Sequence, residues 1–163
     1  MNVYITTGTY DFLKKIKAKY SSELVMMTNA SGALLYHETN GKTVFSAPRK
    51  YEAIQLIGEM PYKGFAVMNN ISVTDESRPV FEYQMKNQST QAANTAGFRA
   101  LRILRPLSSS TYIILTIWNN ETDFSKWKNS PSYFPANTNK IEQSKIFESA
   151  PYFSKFVITE NEE

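Results

Sequence analysis

The succession of strand-like and helix-like runs constrains this chain more than any single motif. Residues 2–7 (NVYITT) are β-branched and aromatic. Thr9 to Tyr20 has the apolar spacing of an amphipathic helix, with Thr9 as its N-cap. Residues 23–28 and 33–38 read as two strands joined by Asn29-Ala30-Ser31-Gly32, a hairpin signal. From Pro48 onward Tyr51, Ile54 and Ile57 recur at helical spacing, and Gly58 is placed to end that helix. Residues 64–73 (GFAVMNNISV) are again strand-like, and the order then repeats. A helix is expected from about Glu76 to Gln88, with Thr74 as its N-cap and Pro79 in its first turn. Strands follow at about 97–105 and 110–118, then a helix over Glu121–Ser130 and a last strand at 151–159.

Each half thus reads β-α-β-β-α followed by a strand, the βαββαβ order of ferredoxin-like α+β units. Two such units can pack sheet against sheet and close one α/β barrel within a single chain, burying faces that neither covers alone. The expected division is an N-terminal ferredoxin-like half at 1–63, a second half at 64–159 and a frayed tail at 160–163. At 163 residues, such a chain can bury its own core and stand as a monomer.

Composition narrows the chemistry. The chain has no cysteine and one histidine, His37. Disulfides, zinc fingers, iron–sulfur clusters and cysteine nucleophiles are excluded, as is any site needing two imidazoles. No run approaches the roughly 18 consecutive apolar residues of a membrane span. The start MNVYITTGTYDF lacks the pattern of a signal peptide, so a cytoplasmic protein is expected. The net charge of +3 is mild for this length, and the densest basic run, KKIKAK at 14–19, fits the wet face of a helix better than a polyanion site. Walker A, GxGxxG, GxSxG and HExxH patterns do not occur.

A few residues are candidates for chemistry. Asn69-Asn70 interrupts an apolar strand, where each amide must meet backbone or water or be directed into a pocket. Trp127 follows Trp118 onto the next helix, and its flat face suits either core packing or a planar ligand. Tyr133 and Asn137 lie beyond it. His37 is either a structural histidine or a ligand or acid–base group. Arg99 and Arg105 share strand parity and Arg102 opposes it; solvated charge and anion recognition both remain open for them.

The segments FAVMNNISVT, GFRALRILRPL and TYIILTIWNNETDFSKWKNSPSYF resemble the antibiotic biosynthesis monooxygenase (ABM) superfamily. Within it they resemble the haem-degrading monooxygenases of IsdG and HmoB type. The opening VYITTGTYDFLKKI, with HETNGKTVF, is most similar to the HmoB group, and TRAP-like proteins share the layout. The resemblance implies a ferredoxin-like barrel, an ABM domain in the second half, and haem as both substrate and cofactor. The implied partners are haem and an electron donor, with no nucleic acid and no membrane. It assigns Asn69 and Trp127 as catalytic, the amide beside the distal ligand and the indole against the porphyrin. Asn137 stands where the family carries its iron-ligating histidine, ten residues after the tryptophan. Tyr133 and His37 are the candidate replacement ligands. Two other functions fit the same resemblance: a non-catalytic haem-binding or stress-response protein of TRAP type, and a cofactor-free ABM quinol monooxygenase using Asn69, Trp127 and a tyrosine.

Overall fold

A computed structural model describes residues 1–20, 24–133 and 151–158. Strands β1 (Asn2–Gly8), β2 (Leu24–Asn29), β3 (Gly32–Thr39) and β4 (Arg49–Ile57) form the first half, with helix α1 (Tyr10–Lys19) between β1 and β2. The second half holds β5 (Gly64–Ser72), a 3-10 turn at Asp75–Ser77, and α2 (Arg78–Ala92). It continues through β6 (Phe98–Pro106), β7 (Thr111–Trp118), α3 (Glu121–Lys128) and β8 (Tyr152–Ile158). The eight strands close a barrel in the order β1-β3-β2-β8-β5-β7-β6-β4, and β4 returns to β1. All pairings are antiparallel. The two halves join at β2·β8 and β4·β6, so the α+β barrel expected from two ferredoxin-like halves is the architecture observed.

Strand alternation sorts the core into three layers. Val3, Ile5, Leu34, Tyr36, Met68, Leu104 and Leu115 point into the barrel and are buried. On the outer face of the second half, Val67, Ile71, Leu101, Ile103 and Ile114 pack beneath α2 and α3. On the outer face of the first half, Leu24, Met26, Ala33 and Leu35 pack beneath α1, with Leu13 and Phe45. Each fully buried aliphatic side chain contributes about 1.5–3 kcal/mol.

One expectation is overturned. The helix read from Tyr51, Ile54 and Ile57 is strand β4. A bulge between Ala53 and Gln55 explains the spacing. Tyr51 and Ala53 face the barrel interior, whereas Ile54 and Ile57 pack on the outer layer under α2. One extra residue reverses the alternation, and a period of two then imitates a period of three. The first half therefore carries one helix among the described residues, and residues 40–48 link β3 to β4 with neither helix nor strand.

The other elements lie within a few residues of their expected positions. Thr9 caps α1 by accepting from Phe12 N–H (3.3 Å). Asn29 Oδ1 closes the β2–β3 hairpin by accepting from Ser31 and Gly32. Thr74 does not cap α2: the 3-10 turn at Asp75–Ser77 intervenes, Ser77 takes the N-cap position, and α2 runs four residues further than expected, to Ala92. Arg102 is not a solvated strand charge: it is 3% exposed and lies inside the barrel.

Candidate functional site

On β5, residues 65, 67, 69 and 71 face outward, and 66, 68 and 70 inward. The two asparagines therefore enter different environments. Asn70 points into the barrel, where its Nδ2 donates to Met68 O, Tyr152 O and Ser154 Oγ, each at 3.2 Å. Asn69 shares the outer face with Val67 and Ile71, across from Ile114 on β7 and Phe153 on β8. It is 7% exposed, and its Oδ1 has no hydrogen-bond partner among the described residues. A buried carbonyl without a donor costs roughly 1–3 kcal/mol. Such a group marks a place where the protein is complementary to something other than itself.

α3 brings the aromatic residues. Asn120 starts the helix by accepting from Asp123 N–H at 2.9 Å, with acids in the first turn and lysines in the last, as the helix dipole favours. Phe124 and Trp127, three residues apart, then face the sheet together. The Trp127 indole packs on Trp118, with centroids 5.0 Å apart and planes 34° apart, and meets Tyr133, 4.8 Å away and nearly edge-on. Phe124 touches both Trp127 and Phe153, each at 6.2 Å, and so bridges the indole to the residue beside Asn69. The Tyr133 phenol is half-buried, and burial pushes its pKa up to about 12, so it is a neutral hydroxyl at physiological pH.

At the other end of this face, α2 is tied to the sheet through Glu82. Its carboxylate accepts from Arg105 Nε and Nη2 (2.9 and 2.7 Å) and from the Tyr112 hydroxyl. The hydrogen bonds from Arg105 hold the Glu82 carboxyl below its ordinary range. Burial, reinforced by Glu82, raises the Tyr112 phenol. Arg105 also donates to Glu52 at 2.7 Å, which links β4 to the same network.

Of the residues singled out in the sequence, Trp127 and Tyr133 are in ring contact, and Asn69 lies on the face they cover. Asn137 lies outside the described residues. His37 is in the other half, on the α1 side of β3, where its Nδ1 is 3.1 Å from Thr43 Oγ1 and its ring packs against Tyr4 and Phe45. The structure does not bring it to Trp127. Among the described residues, no three His, Cys, Asp or Glu side chains cluster as metal ligands. Trp118, Thr116 and Tyr112 share this face although no motif marks them. The alternation of TYIILTIW was the available signal, since it places all three on one face with Ile114.

Comparisons with known proteins agree with this layout. Residues 64–136 match the family described as antibiotic biosynthesis monooxygenase. A heme-degrading monooxygenase of Listeria monocytogenes is 29% identical over 79% of this chain and 78% of its own. The signal transduction protein TRAP of Staphylococcus epidermidis is 26% identical over 96% of both chains. The solved structure of a major regulator of staphylococcal pathogenesis superposes with a TM-score of 0.86 at 27% identity, covering 95% of this chain and 97% of that one. Residues 64–136, which carry Asn69, Trp118, Trp127 and Tyr133, therefore match an antibiotic biosynthesis monooxygenase domain, and the described residues close a ferredoxin-like barrel from a single chain.

Proposed function

We propose that the face under α3 binds haem as a substrate and that the protein is a haem-degrading monooxygenase with altered iron ligation. The observation that carries this reading is the Asn69 carbonyl, buried and unmatched on an aromatic face. When bound, haem supplies both the iron that activates O2 and the carbon skeleton that is oxidised, while the protein supplies position and exclusion of water. Asn69 would offer its unmatched amide to a polar group of the substrate. Trp127 is 2% exposed and packed on Trp118, Phe124 and Tyr133, so a macrocycle would reach the indole by displacing part of this aromatic cover, and the rigid ring would then favour its distortion. Tyr133 packs edge-on against the indole with a neutral phenol, which is a poor iron ligand until deprotonated. An external electron donor completes the reaction. Because one chain closes the barrel, no second chain is needed to build the site.

A second reading, a non-catalytic protein of TRAP type, is favoured by two observations. Asn137 stands where the resemblance to haem-degrading monooxygenases implies an iron-ligating histidine, and TRAP aligns over 96% of the chain. Titration with hemin, followed by addition of a reductant under air, separates the two. Monooxygenase activity gives a saturable Soret band, loss of that band on reduction, and released iron. Asn137→His should tighten binding. A Soret band that persists on reduction supports the non-catalytic reading. No saturable Soret change removes haem from both.

A further inference from the structure

The barrel places each strand of the first half where its counterpart stands in the second. β1 lies between β3 and β4 as β5 lies between β7 and β8, and α1 follows β1 as α2 follows β5. The counterpart of α3 is missing, because residues 40–48 cross from β3 to β4 without forming a helix. A cleft of about 380 Å³ remains between α1, β1 and Val44–Ser46. Thr6 lies on its wall, on the α1 face of β1 and across from Leu35, as Asn69 lies across from Ile114. The first half thus keeps its own version of the position where the second half presents the Asn69 carbonyl.

The two clefts differ in chemistry. Leu13, Ile16 and Phe45 give this one an apolar floor. Phe12 and Tyr20 add rings at its edges, and Phe12 stays 54% exposed. Lys15 and Lys19 stand at the rim, with Lys19 Nζ 5.4 Å above the Tyr20 ring. No described lining residue is acidic. The volume lies within the roughly 300–1,000 Å³ of small-molecule sites, which combine an apolar lining with a few fixed polar groups.

We propose that this cleft is a second ligand site, independent of the Asn69 face, that takes a small aromatic monocarboxylate. The ring of the ligand packs on Leu13, Ile16 and Phe45, where edge-to-face contacts are available. Its carboxylate meets Lys15 and Lys19, and the Thr6 hydroxyl can donate from the wall. The lysines are exposed, so their part is to select an anion, and burial of the ring supplies most of the affinity.

The test is an amide chemical-shift titration of the isotope-labelled full chain with indole-3-acetate, and in parallel with the neutral indole-3-acetamide. Saturable shifts are expected at Thr6, Ile16 and Phe45, with the acid bound about fivefold more tightly than the amide. The double variant Lys15→Glu/Lys19→Glu changes only exposed side chains and should abolish that preference while the amide still binds. Ile16→Trp should fill the cleft and remove both responses, with the rest of the spectrum serving as the control for folding. Prior loading with hemin should leave these shifts in place. Absence of saturable shifts at the three amides overturns the proposal. So does equal affinity for acid and amide, or a response confined to the Asn69 and Trp118 face.

Discussion

Arg102 and Glu38 meet inside the barrel, Nε 2.7 Å from Oε1, although one comes from β6 in the second half and the other from β3 in the first. The pair is embedded in further hydrogen bonds. Arg102 Nη1 donates to Ile57 O, Gly58 O and Leu101 O, and the Tyr36 hydroxyl donates to Glu38 Oε1 at 2.7 Å. The contact ties the two halves of the barrel together across an interior otherwise lined mainly by apolar side chains.

Removing one partner leaves a buried charge and several unmatched oxygens. Arg102→Met should therefore destabilise the fold by about 3 kcal/mol. Combining it with Glu38→Leu should recover much of that loss, since an apolar pair of similar volume carries no desolvation penalty. Urea unfolding of the two single variants and the double variant forms the cycle that measures the coupling. Simple additivity would mean that the pair does not act as a unit.

Gly58 follows β4 with φ +76, and a Cβ there would overlap the carbonyl oxygen of Arg99. Both the left-handed backbone and the close approach require glycine. Gly58→Ala should cost more than about 2 kcal/mol. It should also weaken the anchoring of Arg102, because Gly58 O is one of its acceptors. A shift of less than 1 °C in the thermal midpoint would contradict this.

Gly58 also marks where the sequence was hardest to read. The glycine ends an element, but that element is a strand rather than a helix, because a bulge alters the spacing of Tyr51, Ile54 and Ile57. The hairpin at Asn29–Gly32, the Thr9 cap of α1 and the strand β5 depend on local signals and are legible from them. A bulge depends on the partner strand, and its register against β6 has no local signature. The site divides along the same line. Outward alternation of β5 and the three-residue spacing of Phe124 and Trp127 can be read from sequence. The burial of Arg102 and the distance of His37 from Trp127 depend on how the barrel closes.

Glu82 makes stability depend on acidity. Its folded-state pKa is lowered chiefly by the hydrogen bonds from Arg105, so its contribution is complete above the ordinary carboxylate range and is lost as pH falls through the folded value. Tyr112 acts at the other limit: its raised pKa gives a contribution that is complete below the ordinary tyrosine range, near 10, and lost above it. Glu82→Gln should be less stable than the parent at neutral pH and converge with it under acid conditions. Urea midpoints measured across pH test this, and a gap that stays constant into acid would refute it.

Asn69 and Asn70 supply the sharpest comparison, because they are adjacent, both buried, and opposite in what they meet. Asn70→Leu severs bonds to β5 itself and to β8, and should cost about 1–3 kcal/mol. Asn69→Leu replaces an amide whose Oδ1 has no partner among the described residues, on a face already lined by Val67, Ile71 and Ile114, so the ligand-free protein should lose little or gain stability. The order should reverse with hemin present. A ligand that binds only the folded state raises stability according to its affinity, so the parent and Asn70→Leu should gain, and Asn69→Leu should gain less. Thermal midpoints of the three proteins with and without hemin give the answer. Equal losses for the two ligand-free variants would mean that the Asn69 amide already has a structural role, and would remove the observation on which the haem reading depends.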